Sequence, residues 1–248
     1  MNSILKINNL NLSYGQQTVL KDINLNINKG EITSIIGPSG CGKSTLLKCL
    51  NNIILENPEA VVQGSITFND KELSSFNLED LRKSIGMVFQ QSTPFPLSIY
   101  KNLEYALKYY GVKAVERKDI IENTLKITGL YDELNSLLKK SALKLSGGQA
   151  QRLCIARALT INPEILLLDE PCSSLDIINT KKIEDLLLSL KDKYTIIIVT
   201  HNLSQAKRIS DKTVFMYDGE VIEENSTFKL FNNPEHSLTS DYVSGNIG

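Results

Sequence analysis

Gly37-Pro38-Ser39-Gly40-Cys41-Gly42-Lys43-Ser44 is a glycine-rich loop with a strand-like run before it, 31–36. A helical period follows over 43–54, where Leu46, Leu47, Leu50, Ile53 and Ile54 recur. This is the setting a Walker A phosphate-binding loop requires. Its glycines let backbone N–H groups wrap an anion, Lys43 reaches the outer phosphates of a nucleotide, and Ser44 offers a hydroxyl to Mg²⁺. Pro38, Ser39, Gly40, Cys41, Gly42 and Thr45 complete the cradle. A chance glycine-rich turn has no reason to end in Lys-Ser-Thr at the head of a helix, so the loop predicts a nucleotide-binding α/β core.

Farther along, Ile165-Leu166-Leu167-Leu168-Asp169-Glu170-Pro171 is an apolar strand ending in two carboxylates. Asp169 suits the shell of a hard cation and Glu170 suits a base for an attacking water. An ordinary acidic turn competes for that segment alone, but the loop upstream favours the catalytic reading. Leu145-Ser146-Gly147-Gly148-Gln149 is a second glycine-rich element, and no strand precedes it. It opens a helix over 147–159, with Leu153, Ile155, Ala156 and Leu159 apolar and Gln149, Gln151, Arg152 and Arg157 on a polar face. Free N–H groups at that terminus, with the Ser146 hydroxyl, predict a second phosphate-seeking surface.

Four further residues are ambiguous from the sequence alone. Gln90 ends the strand-like 86–89 and reads as a surface amide or a holder of water and metal. His201 follows the strand-like 195–200, where a lone histidine is usually structural. Asp176, closing Ser173-Ser174-Leu175-Asp176, reads as an N-cap for the next helix. Tyr14, in Leu12-Ser13-Tyr14-Gly15, reads equally as a surface tyrosine.

Taken in order, these motifs resemble the ATP-binding-cassette (ABC) family. The resemblance implies that Gln90 contacts metal and water and that His201 contacts the γ-phosphate. It further implies that Tyr14 stacks on adenine and that Asp176 belongs to a loop crossing a dimer interface. Ser146, Gly147, Gly148 and Gln149 of one copy would close over the ATP held by the Walker loop of another. ATP and Mg²⁺ are thus the expected cofactors, with Mg²⁺ held by Ser44, Gln90 and Asp169, and a homodimer is the expected ATP-bound state. The fold expected is an α/β P-loop NTPase core of the ABC type, with an N-terminal antiparallel β subdomain and an inserted helical subdomain. It would be one domain over 1–248, with 1–90 and 159–248 forming the core and β subdomain and 91–158 the helical signature subdomain.

A narrower resemblance runs through Phe89-Gln90-Gln91-Ser92-Thr93-Pro94-Phe95-Pro96-Leu97-Ser98-Ile99-Tyr100-Lys101-Asn102, through 151–159 and 169–173, and into the terminal Asp241-Tyr242-Val243-Ser244-Gly245. These look like the ATPase subunit of bacterial phosphate importers. Ile177 departs from the proline usual there, and Gln91 from a frequent lysine. The resemblance implies two transmembrane permease subunits, an extracytoplasmic phosphate-binding protein, and a peripheral place on the cytoplasmic face of the cell membrane, with membrane contact through the partners only. The alternatives are the ATPase of another importer, for example for amino acids, or a soluble ABC ATPase. Pro94 and Pro96 stiffen a loop that leaves Phe95, Leu97 and Ile99 without helical or strand period. That loop predicts a seat for a membrane-subunit helix, against the plainer reading of a loop packed in its own subdomain.

Composition narrows the rest. With 27 basic and 28 acidic residues in 248, the chain has no polyelectrolyte footprint for nucleic acid. The apolar runs 165–168 and 196–199 fall far short of the ~20 residues that span a bilayer, and the alternating 4–10 does not resemble a signal peptide. The four cysteines form no C-x-x-C pair and are expected to be reduced thiols, Cys41 being the one whose place at a helix start could lower its pKa. Strands are expected at 4–10, 19–27, 31–36, 64–68, 164–168, 195–200 and 213–217. Helices are expected at 43–54, 99–110, 116–128, 131–138, 147–159, 178–191 and 203–210, with Gly111 and Gly129 as stops.

Overall fold

The computed structural model of the chain describes residues 3–247. In chain order they form β1 (Ser3–Tyr14), β2 (Gln17–Asn28), β3 (Ile32–Ile36), α1 (Lys43–Cys49), β4 (Ala60–Phe68), β5 (Lys71–Glu72), α2 (Leu78–Ser84) and β6 (Ile85–Val88). There follow α3 (Ile99–Tyr109), α4 (Ala114–Ile127), α5 (Tyr131–Leu134), α6 (Gly147–Leu159), β7 (Ile165–Asp169), α7 (Ile177–Leu190), β8 (Thr195–Val199) and α8 (Leu203–Ile209). The chain closes with β9 (Lys212–Tyr217), β10 (Glu220–Ser226), α9 (Thr227–Asn232) and α10 (Ser237–Val243).

Two sheets divide the strands. β2-β1-β4-β5 is antiparallel, and β10-β9-β3-β8-β7-β6 is parallel except where β10 turns back on β9. Every residue of β3, β7 and β8 is buried, the mark of strands covered on both faces. Because β3, β6, β7 and β8 run the same way, the loop after β3, Gln90 after β6, Glu170 after β7 and His201 after β8 all emerge at one edge. That carboxyl edge is where open α/β sheets bind ligands.

Helices α3 to α6 share an apolar cluster that includes Leu103, Leu125, Leu134 and Leu153. α6 also faces the parallel sheet, placing Cys154, Ile155 and Leu159 in the cluster of β7 and β8. Packed on both sides, it keeps only Gln149 and Arg157 of the expected polar face partly exposed. Gln151 and Arg152 are buried, and Arg152 donates two 3.0 Å bonds from Nη2 to the Glu133 carboxylate and one of 2.9 Å from Nη1 to the Gly129 carbonyl.

Several expected boundaries move. α1 ends at Cys49, and Asn52 turns left-handed at φ 57° before a 3₁₀ turn over Ile53–Glu56, so 43–54 is not one helix. Ile54 is nonetheless buried, which is why the helical period ran on through it. The expected 131–138 helix is one turn, α5, and then 3₁₀ over Asn135–Leu137. Ile99 does not belong to the stiff loop: Ser98 caps α3, and Ile99 is buried in its first turn. β1 does not alternate strictly, because Asn8 and Asn9 are both exposed at a register shift. Unforeseen elements are β5, α2, β10, α9 and α10, each short, with at most two buried side chains and no readable period. No helix among the described residues is long and apolar enough to cross a membrane.

The Glu133 carboxylate is partly buried, which raises its pKa, but bonds from Gln149, Arg152 and Lys182 outweigh that and hold it below the ordinary value. Its contribution to stability is therefore full above the unfolded-state carboxylate pKa and is lost as pH falls through the lower folded value. Glu133→Gln is expected to cost ~1–2 kcal/mol at neutral pH, since it leaves the buried Arg152 without its counter-charge. Urea unfolding of both proteins should show that gap closing below about pH 4.

Candidate active site

The 37–42 loop leaves buried β3 and enters α1 with no side-chain cap. Gly37 sits at φ +150°, and a Cβ there would lie 2.1 Å from the Met216 carbonyl oxygen at the end of β9. The loop can thus start in this place only without a side chain. Lys43 is 6 % exposed and its Nζ donates to the carbonyls of Gly37 (2.8 Å) and Pro38 (2.7 Å), which fixes the ammonium across its own loop. Cys41 turns inward rather than toward the cavity. Burial pushes its thiol pKa up despite the nearby Lys43, so its place before α1 does not make it acidic. All four cysteines are unpaired.

Ser44 Oγ donates to Asp169 Oδ1 at 2.7 Å, joining the loop to the end of β7. Burial raises the Asp169 pKa, opposed by the Ser44 bond and by Lys48 and Lys43. The next residue, Glu170, takes a left-handed φ of 45°, uncommon for a side chain with a Cβ, while its N–H donates to the Val199 carbonyl. That turn brings its carboxylate back over the edge of the sheet. Glu170 Oε2 accepts from Gln90 Nε2 at 3.0 Å and lies 3.1 Å from His201 Nδ1. The sequence proposed Gln90, Glu170 and His201 separately, and the structure brings them to one oxygen atom.

A cavity of about 600 Å³ is lined by Gln90, Glu170 and His201, by the loop from Gly37 to Thr45 apart from Cys41, and by Val19 and Tyr242. Tyr14 does not line it; it ends β1 opposite Gln17 and packs on the core beneath the antiparallel sheet. Val19 and Tyr242 are the residues that sequence reasoning missed. For Tyr242 the terminal segment gave a family likeness but no role.

Ser146 caps α6 in a capping box: the Gln149 N–H donates to Ser146 Oγ, and the Ser146 N–H donates to Gln149 Oε1. Gln149 Nε2 is spent on Glu133 at 3.0 Å. Gly148 has a packing reason as well, since a Cβ there would stand 2.2 Å from Asn179 Oδ1. Asn179 in turn donates to both carboxylate oxygens of Asp176, from its backbone at 2.8 Å and its amide at 2.7 Å. Asp176 is thus the N-cap of α7 and also the anchor of the residue against which the Gly147–Gly148 turn is pressed. Gly147 lines a separate cavity with Gln91, Pro94 and Ser174, which shares no lining residue with the cavity of Lys43. One chain therefore presents its two glycine-rich elements to different spaces.

The ABC transporter family profile matches residues 20–173. The chain is 50 % identical over 99 % of its length to phosphate import ATP-binding protein PstB 2 of Shouchella clausii, covering 92 % of that protein. It is also 50 % identical, over 99 % of its length, to phosphate import ATP-binding protein PstB 1 of Enterococcus faecalis, covering 98 % of that one. Among solved structures, cbiO1 of Clostridium perfringens, part of the ABC transporter complex cbiONQ, superposes with a TM-score of 0.84 at 32 % identity, covering all of both chains. The ATP-binding cassette MJ0796, a dimer bound to ADP and Pi, matches with a TM-score of 0.77 at 33 % identity, covering 90 % of this chain and 98 % of that one. The family profile, the full-length relatives and the fold agree, and the chain belongs to the ABC transporter family as one of its ATP-binding cassettes.

Proposed function

We propose that this chain is the ATP-hydrolysing subunit of a phosphate importer, acting as an ATP-bound homodimer on two membrane subunits that receive phosphate from an extracytoplasmic binding protein. The observation that carries the hydrolytic reading is the convergence of Gln90 and His201 on Glu170 Oε2 beside the Ser44–Asp169 pair. Phosphate as the solute is supported by the likeness over the whole chain to proteins named for phosphate import. The dimer is supported by the separation of the two glycine-rich elements within one chain and by the dimeric form of the related cassette. Such a subunit would work at the cytoplasmic face of the membrane and touch the bilayer only through its partners.

The backbone of 37–45 and Lys43 would hold the outer phosphates of ATP. Gln90 and His201 orient the Glu170 carboxylate, leaving Oε1 outside those bonds and available to take a proton from the attacking water. As the water oxygen bonds to the γ-phosphorus, the bond to the bridging oxygen breaks and its electron pair leaves with ADP. Ser44 and Asp169 meet at 2.7 Å, and with the Gln90 amide oxygen they would supply an all-oxygen donor set of the kind Mg²⁺ takes. When bound there, Mg²⁺ would neutralise charge on the phosphate oxygens. Ser146 and the Gly147–Gly148 turn of the second copy would close over the γ-phosphate, and Tyr14, by the family resemblance, would stack on adenine. His201, which lines the same cavity, would meet that phosphate.

Glu170→Gln is expected to keep Mg·ATP binding and lose turnover about a hundredfold or more, because every phosphate-holding group stays while the base is gone. Size-exclusion chromatography with ATP should show the variant as a stable dimer; a variant that hydrolyses normally, or stays monomeric, contradicts the scheme.

Coupling to the membrane subunits is assigned to the 92–98 loop. Phe95 is 36 % exposed, with its ring under the Arg157 guanidinium at 4.1 Å and edge-on to Tyr105. Buried Asn102 fixes the loop backbone by accepting from the Phe95 N–H and donating to its carbonyl. A rigid loop presenting a half-exposed ring suits a helix from a partner. Phe95→Asp sets a carboxylate beside Arg157, so the isolated subunit should fold and hydrolyse ATP near the wild-type rate. Phosphate uptake by vesicles carrying the full importer should fall to background, and normal uptake would overturn the assignment.

A further inference from the structure

We propose that Glu133, on the one-turn helix α5, is a positioning residue for the ATP held by the second copy, acting through Gln149 on the turn from Ser146 to Gly148. Ser146 and Gly147 are exposed, so the surface that would meet the partner's nucleotide owes its shape to the groups behind it. Gln149 does that shaping with both ends of its side chain. Its Oε1 accepts the Ser146 N–H at 3.2 Å, and its Nε2 donates to Glu133 Oε2 at 3.0 Å. An ionised carboxylate only accepts and a backbone N–H only donates, so the two partners together admit one orientation of the amide. Remove the carboxylate and that orientation is no longer enforced.

Glu133 is itself held from two helices. Buried Arg152 of α6 donates to both of its oxygens at 3.0 Å, and Lys182 of α7 donates to Oε1 at 3.3 Å. Charge-assisted bonds of this kind make the carboxylate a fixed point rather than a mobile surface group. The other end of the turn is braced by packing, since Asn179 Oδ1 stands where a Cβ of Gly148 would be. Ser146 is therefore gripped through Gln149 and Glu133, and Gly148 by Asn179. The Walker loop of the same chain lines a different cavity, with no residue of this network in its wall. Loosening the Glu133–Gln149 bond should thus spare the nucleotide held by the chain's own loop and weaken closure over the nucleotide of the second copy.

The inference rests on the ATP-bound homodimer proposed above, and the test uses the full chain carrying Glu170→Gln, which traps that dimer. Adding Glu133→Gln should raise the dimer dissociation constant in saturating Mg·ATP about tenfold or more, read by fluorescence-detected sedimentation, because both composite sites lose the bond. The Kd of its monomer for Mg·ADP should stay within about twofold. Gln149→Met leaves the Glu133–Arg152 pair in place and should raise the dimer constant by a similar factor, and adding Glu133→Gln to it should raise that constant no further. Urea unfolding of the same double variant should still show the loss that runs through Arg152. An unchanged dimer constant in either Glu133→Gln or Gln149→Met overturns the proposal. So does an effect of Glu133→Gln that persists undiminished beside Gln149→Met, the mark of a fold defect that does not pass through the amide. If Glu170→Gln alone stays monomeric in Mg·ATP, the homodimer reading falls, and the role of Glu133 falls with it.

Discussion

Backbone hydrogen bonding between β3, β8, β7 and β6, all parallel and in fixed register, is the constraint on which the site depends. Ile35 lies opposite Val199, Asp169 opposite Val199, and Val88 opposite Leu168, so the residues that follow these strands leave the sheet at one level. The fully buried faces of β3, β7 and β8 prevent a slip, since a shift by one residue would carry buried isoleucine and leucine side chains to the wrong side. What the loops add is direction. The left-handed turn at Glu170 and the inward fold of Lys43 aim polar groups into a space that the strands have already placed.

A second constraint links segments distant in the chain. Asp176 holds Asn179, Asn179 fills the space that Gly148 leaves empty, and Gln149 of the same helix turn bonds Glu133, which also holds Arg152 and Lys182. The start of α6, the start of α7 and the loop around α5 are thereby mechanically one piece. A residue that sequence reading offers either as a helix cap or as part of an interface loop does the first by an observed bond, and through Asn179 it also shapes the glycine turn.

Much of this was legible in the sequence where chemistry and local structure point the same way. The Walker loop, the strand ending in Asp169-Glu170 and the start of α6 at Gly147 are of that kind, because a glycine-rich loop, a carboxylate pair and a glycine pair opening a helical period each carry a local physical meaning. Gln90 and His201 had no local signal, since their partner is Glu170 and the contact is made only by the sheet. Arg152 and Gln151 misled because helical period reads polarity as exposure, while α6 is wedged between two clusters. The closing elements were missed because their order comes from tertiary contacts: α10 buries Thr239 and Tyr242 and caps itself with a histidine.

The order of pairing has a consequence for the chain as it is made. β1, β2, β4 and β5 are near neighbours in sequence and complete an antiparallel sheet within the first third of the molecule. β3, by contrast, is bounded by β8 and β9, with Ile32 opposite Ile196 and Ile36 opposite Phe215. One edge waits for its strand until synthesis has passed residue 199 and the other until it has passed 215. Such long-range closure is slow and exposes apolar edges meanwhile. The phosphate loop cannot be set before that closure, so a chain cut before β9 lacks the Met216 backbone against which Gly37 starts the loop, and its grip on nucleotide depends on a strand about 180 residues further along.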